Sequence, residues 1–311
     1  MKKFISIVLL VIIGILCMFY IADSYLTHNL YKSNARMFRN WNEVFFDSTY
    51  YDVIINGSSR AWRQYNPMII DSIIGTNCYN LGLDGHGIST QVARYNTYLS
   101  THKKPRCIIQ NIDLFTIQPS SKFEREQFIP YICFDTLYNQ IHQEEEYSWF
   151  DKNIPFIRYF GYKDVIFEGL GLHNDIVRDP NLYKGYCGNE SGWSSTKENM
   201  DDIGFTCDSI CSQIFETYLK RCLSDTIQVI LVYAPMYRGS LSKEASKEER
   251  EMYMYFDNLA QKYDCVILNY LWCDICADRS YFYNVTHMNS SGANKFTTYL
   301  AKDIDSLLIP K

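Results

Sequence analysis

Charge is scarce in this chain: 21% of its 311 residues are Asp, Glu, Lys or Arg, and the formal net charge is −5. That balance excludes a basic chain built to coat nucleic acid, and no nucleic-acid partner is expected. Proline and glycine are few, eight and fifteen, with no repeat and no low-complexity tract, so collagen-like and disordered readings fall away. Histidine is rarer still, with six in all, which narrows where a general base could come from. What is plentiful is apolar: 47% of the residues are hydrophobic, enough for one large domain or two small ones.

The apolar residues are unevenly placed. Phe4 to Ala22 is a run of 19 residues without a charge, behind Lys2 and Lys3. As a helix it would be about 28 Å long, against a bilayer core of about 30 Å. A cleaved signal peptide wants a shorter apolar stretch and a small-residue cleavage site, whereas this run exits through Tyr20-Ile21-Ala22-Asp23. It is therefore read as an uncleaved, single-pass anchor, with the membrane as a partner of residues 4–22. Lys2 and Lys3 hold the short end in the cytoplasm and place residues 23–311 on the far side. Residues 1–22 are then a cytoplasmic stub and anchor, 23–50 a juxtamembrane linker, and 51–311 the working domain.

From Tyr51 onward, strands alternate with helices. Short apolar runs lie near residues 53, 108, 229 and 266, the clearest being Ile227 to Ala234 before Pro235, and Cys78 to Leu81 is a short extended piece stopped by Gly82. Helical spacing appears over Met68–Ile74, Ile88–Ser100, Glu248–Tyr263 and from Ser290 onward. The expected fold class is α/β, a mostly parallel sheet covered on both faces. Residues 114–204 break the alternation and are read as an insertion or lid. Met236 to Lys247 is a smaller polar excursion.

Eleven cysteines are present, one of them, Cys17, inside the apolar run. Cys207 with Cys211 and Cys273 with Cys276 have spacings that four-thiolate zinc sites use, but they lack the flanking glycines and turns of a zinc ribbon. Cys107 and Cys265 sit in strand-like runs and read as small core residues. No metal and no cofactor is expected.

Chemistry enters at Gly57-Ser58-Ser59-Arg60, a small-residue turn after the first strand. Such a turn can raise a serine hydroxyl, and its backbone N–H, at the carboxyl edge of the sheet. Among the histidines, His28, His102 and His142 have solvated surroundings and His173 lies in the insertion, whereas His287 follows the last strand and precedes the last helix. Gly57-Ser58-Ser59-Arg60, then Tyr79-Asn80-Leu81-Gly82-Leu83-Asp84-Gly85, then Asn284-x-x-His287-Met288-Asn289 resemble, in that order, the blocks of the SGNH or GDSL-like esterase and acylhydrolase superfamily. The resemblance covers about residues 50–115 and 225–310.

It implies a flavodoxin-like three-layer αβα sandwich and an ester-directed serine enzyme. Ser59 takes the nucleophile's place, with Ser58 where the family has aspartate, and His287 is the general base. Gly82, the Ser59 N–H and Asn111 would be oxyanion donors, although Gln110-Asn111-Ile112-Asp113 lacks the family's glycine and has an extra residue, and a strand-end Asn holding a loop is the alternative. Asn284 stands where the family has aspartate: an amide can fix the imidazole tautomer but cannot stabilise imidazolium by charge. Asp274 or Asp278, just upstream, could approach the histidine instead. Arg60 is assigned to an anionic substrate group, with Arg63 beside it or with both meeting carboxylates such as Asp71 as the alternative.

The expected activity is that of a membrane-anchored hydrolase or acyltransferase of the bacterial cytoplasmic membrane, facing outward. Its substrate would be an ester such as an O-acyl group on a surface or exported polysaccharide. The 26 Tyr, 18 Phe and 5 Trp would in part supply sugar-facing rings. The competing reading is a weak or inactive relative that binds or assembles surface polysaccharide.

Overall fold

The computed structural model describes residues 1–119, 124–172, 182–194, 205–238 and 246–308. His173 and parts of the expected insertion and polar excursion lie outside the described residues. The helices are α1 (Lys2–Leu30), α2 (Arg36–Phe46), α3 (Ser59–Gln64), α4 (Pro67–Ile74), α5 (Ile88–Thr101), α6 (Asp135–Ile141), α7 (Trp149–Asn153), α8 (Lys163–Gly169), α9 (Ser209–Ser224), α10 (Lys247–Tyr263) and α11 (Ser290–Asp305). The chain divides into two compact units, Met1–Asp47 with Glu124–Asp179 and Ser48–Phe123 with Pro180–Lys311.

The second unit is built on five strands: β1 (Val53–Asn56), β2 (Cys78–Asn80), β3 (Cys107–Asn111), β4 (Gln228–Tyr233) and β5 (Val266–Asn269). All neighbours run parallel in the order β2-β1-β3-β4-β5, which is the flavodoxin-like doubly wound arrangement. The register places Ile54 between Tyr79 and Ile108, so the β-branched run of β1 is buried from both sides. One sheet face carries Val53, Ile55, Ile109 and Ile230 against Tyr65, just after α3, and Ile70, Phe296 and Leu300 of α4 and α11. On α5, α9 and α10 the rings of Tyr95 and Tyr218 and of Phe215 and Phe256 pack edge to face. Cys107 is buried as expected, but Cys265 is half-buried, because β5 is an edge strand.

Local signals set the helix ends. Asn66 Oδ1 accepts from Met68 N at 3.1 Å with Pro67 as the first helical residue, and α4 stops at Gly75 in the left-handed conformation (φ 65°). Ser246 and Glu249 form a capping box at the start of α10. Asn289 Oδ1 caps α11 by accepting from Gly292 N at 3.0 Å.

In the first unit, α1 contains the apolar run and is long and apolar enough to cross a membrane. Residues 23–50, expected as a linker, carry the last turns of α1 and the whole of α2. Phe38, Trp41 and Phe45 of α2 fall on one helical face and are buried. Trp41 packs edge to face on Phe128, with centroids 5.5 Å apart, and donates from Nε1 to Gln127 at 2.8 Å. Of the expected insertion, residues 124–172 fall in this first unit. Residues 182–194 belong to the second, where Leu182–Tyr183 and Tyr186–Cys187 form a small antiparallel hairpin.

Candidate active site

The carboxyl end of β1 turns at Gly57, whose φ is +153° and whose missing Cβ lets Ala61 and Asn111 approach: a Cβ there would lie 2.7 Å from Ala61 Cβ. Ser58 is the residue before α3 and Ser59 its first helical residue, both half-exposed. No side chain caps this helix end. The Ser59 N–H therefore sits at the positive end of α3, where a helix leaves its first donors without intrahelical partners.

His287 arrives from the far end of the chain on the loop that leads into α11. Phe282 and Met288 pair as an antiparallel bridge, and Tyr283 N donates to His287 O at 3.2 Å, so the loop is a tight hairpin. Gln64 Nε2 donates to Thr286 O at 2.9 Å and ties that hairpin to α3. The Tyr283 ring stacks on the imidazole with centroids 5.6 Å apart. The result is a His287 Nε2 to Ser59 Oγ distance of 2.8 Å.

Asn284 fixes the direction of the proton. Its Oδ1 accepts the backbone N–H groups of Thr286 (3.0 Å) and His287 (2.9 Å), which identifies that atom as the oxygen. The same oxygen lies 3.1 Å from His287 Nδ1, and an oxygen that only accepts requires Nδ1 to carry the hydrogen. Nε2 is then bare and accepts the Ser59 hydroxyl proton. Thr286 Oγ1 joins this cluster, 2.9 Å from Nδ1 and 3.2 Å from Asn284 Oδ1. Neither upstream carboxylate takes part: Asp274 pairs with Lys295 at 2.7 Å, and Asp278 accepts from Ser280. Burial first, and then the positive charges of Arg60 and Arg63, push the imidazole down to about 3, so it is the free base at neutral pH.

Three expected site residues lie elsewhere in the hydrogen-bond network. Gly82 N donates at 2.7 Å to Asn80 Oδ1, and Gly82 O accepts from Arg94 at 3.0 Å, so the N–H assigned to an oxyanion is already committed. Asn111 is 1% exposed, with Oδ1 accepting from Tyr65 OH at 2.9 Å and Nδ2 donating to Asp113 at 3.0 Å; it is the strand-end Asn that holds its surroundings. Arg60 is buried rather than presented to a ligand. Its Nη2 donates to Ala234 O at 2.5 Å and Pro235 O at 3.2 Å, and its Nη1 lies 3.7 Å from Asp113 Oδ2. Arg63 is half-buried, with Nη1 donating to Cys187 O at 3.1 Å. Asp71, the other carboxylate considered, pairs with Lys184 instead.

Sequence reasoning missed Thr286, Gln64 and Asn80. Asn80 is in the quoted glycine block, and its Nδ2 donates to Ala61 O (2.8 Å) and Tyr65 O (2.9 Å), clamping the end of β2 to α3. Among the described residues no group of three or more His, Cys, Asp or Glu is placed to hold a metal.

No family model matches the chain, and no curated protein matches it by sequence. Similar solved structures include a candidate platelet activating factor from Streptococcus pneumonia, at 11% identity and TM-score 0.43, covering 98% of this chain and 99% of that one. A candidate acylhydrolase from Bacteroides fragilis aligns at 12% identity and TM-score 0.41 over 85% of this chain and 93% of that one. A candidate lipolytic protein of the G-D-S-L family from Desulfitobacterium hafniense aligns at 10% identity and TM-score 0.39, over 80% and 97% of the two chains.

Proposed function

We propose that the chain is a membrane-anchored serine esterase or acyltransferase of the SGNH type, with Ser59 as nucleophile and His287 as general base. The observation that carries this reading is the 2.8 Å contact between Ser59 Oγ and His287 Nε2, with Nδ1 held by Asn284. Ser59 Oγ attacks an acyl carbonyl while its proton passes to Nε2, and the carbonyl oxygen gains charge beside the Ser59 N–H at the start of α3. The imidazolium returns the proton to the departing alcohol and leaves an acyl-enzyme. Water or an acceptor hydroxyl then resolves it, with His287 taking the incoming proton. The substrate class we propose is an O-acylated surface or exported polysaccharide. The site would work beyond the bacterial cytoplasmic membrane, with α1 as a single-pass anchor whose positive flank, Lys2 and Lys3, stays inside.

Two observations favour the second reading, a weakened relative that binds or assembles polysaccharide: the Gly82 N–H is occupied by Asn80, and Asn284 carries no charge. Fluorophosphonate labelling of the full chain in detergent separates the two. The esterase reading expects labelling that Ser59→Ala abolishes and Ser58→Ala retains. No labelling of the folded wild-type chain, together with no turnover of small acetyl esters, favours the binding factor.

A further inference from the structure

The first unit exposes apolar side chains in a way the second does not. Six large apolar residues between positions 149 and 172 are exposed, including Trp149, Phe150, Phe160, Phe167 and Leu172 at 45% to 65%. The described residues of the second unit expose eight, but scattered from Tyr50 to Trp272, nowhere more than two within twenty positions. Single exposed apolar residues are ordinary, whereas six within one short segment, four of them aromatic, mark a surface that meets something.

The cluster is held at a defined height on α1. Phe19, in the last turn of the apolar run, packs against Phe156 and Phe160, with ring centroids 5.5 and 6.1 Å apart. One turn further on, Asp23 is the first charged residue after the run. The same segment covers it: Arg158 Nη2 donates to it at 2.6 Å and Phe156 N at 2.8 Å. Another turn on, Thr27 and Tyr159 share a 2.6 Å hydrogen bond, and Gly169 sits against Leu26 so closely that a Cβ would lie 2.9 Å from Leu26 Cδ2. Asn29 Nδ2 then donates to Gly169 O at 2.7 Å. Residues 156–169 thus grip α1 where its apolar run ends. Trp is favoured at that level of a bilayer, and a surface of Trp, Phe and Leu suits burial at the boundary between acyl chains and headgroups.

We infer that the exposed aromatic face of residues 149–172 is a collar that inserts into the outer interfacial layer of the bilayer around the exit of α1. This rests on the reading of α1 as a membrane span. The lipid interface is the occupant because the face begins beside Phe19, inside the apolar run, and because the charge at its inner margin is already paired by Arg158. The collar therefore fixes how deep the first unit sits, beyond tethering it.

The test uses the full chain reconstituted in phosphatidylcholine vesicles whose acyl chains carry bromine, either near the carbonyl end or near the methyl end. The Trp149 contribution is the difference between the emission of the wild-type chain and of Trp149→Phe. The collar expects that difference to be blue-shifted and largely quenched, more by bromine near the carbonyl end than near the methyl end. Alkaline carbonate extraction of the same vesicles reads the anchor separately. An unquenched, red-shifted Trp149 signal in a chain that resists extraction overturns the collar and leaves the anchor standing. So does a Trp149 signal shielded in a cross-linked dimer, which would give the face to a second copy. A chain extracted into water overturns the anchor reading.

Discussion

Ser59 and Arg60 are neighbours in the first turn of α3, and they face two regions with opposite chemistry. Above the turn is a rim of Ser59, His287, Asn284 and Thr286, half-exposed, uncharged, and linked by one transferable proton. Below it is a floor of Arg60, Asp113, Asn111 and Tyr65, each nearly or wholly buried and linked by fixed charge and hydrogen bonds. Successive helical residues point about 100° apart, so a single step in sequence turns a side chain from one region to the other. The difference separates two meanings of a polar residue near a site: the rim can exchange a proton with a ligand, whereas the floor holds the backbone that aims the rim.

The comparison breaks most visibly at His287. His287→Ala removes the imidazole that touches Ser59, and ester turnover is expected to fall about 10³-fold with little change in the unfolding temperature. A loss that tracks unfolding instead would make His287 a packing residue. The floor should respond the other way round. Asp113→Ala leaves the Arg60 guanidinium buried without its carboxylate, and breaking such a pair costs about 3 kcal/mol. Denaturant titration checks that value, and KM of the folded fraction should stay unchanged. If stability holds and KM rises, Arg60 belongs to the ligand after all.

The same contrast explains what the sequence could disclose. The sheet's strands were legible, the central ones because burial on two faces demands continuous β-branched runs such as Ile227 to Ala234, and the edge strands β2 and β5 as short extended pieces between helical stretches. The Ser59 and His287 pair was legible because Ser59 opens α3 at the end of β1 and His287 lies just before α11, on the side of the sheet where an α/β fold gathers its ligands. The allocation of hydrogen bonds was not. That Asn80 takes the Gly82 N–H, or that Arg60 turns to Asp113 rather than outward, depends on side-chain direction, and no spacing encodes it. The first unit escaped for another reason. Residues 23–50 read as a juxtamembrane linker until Phe128 and Tyr131, some ninety positions later, arrive to pack on Trp41 and Phe45. Helix α9 went unassigned although Asp208 caps it and Cys211, Phe215, Leu219 and Cys222 recur at helical spacing on its buried side.

The smallest expected effect sharpens the comparison most, because it puts a floor-like charge into the rim. In Asn284→Asp the carboxylate can accept the same N–H groups of Thr286, His287 and the imidazole, so the geometry is kept and only the charge is new. In the wild-type chain burial and the two arginines hold His287 at about 3. The base form therefore persists through mildly acidic conditions, and kcat/KM should show no acid limb near pH 6 to 7. The sign for stability follows from the same depression. Between about 6.5 and 3 the unfolded chain binds a proton that the folded chain refuses, so the contribution of His287 is full above that window and is lost as pH falls through it. A carboxylate at position 284 favours the imidazolium, which raises the histidine, shrinks that window, and stabilises the transition state in which His287 has just taken the Ser59 proton. Turnover at pH 7 should rise about tenfold, the equivalent of one unit of differential charge stabilisation, while an acid limb appears at higher pH than in the wild type. A pH profile of kcat/KM for the two chains decides it. Unchanged profiles would mean that His287 never becomes imidazolium in the reaction, and that the rim, like the floor, is only structure.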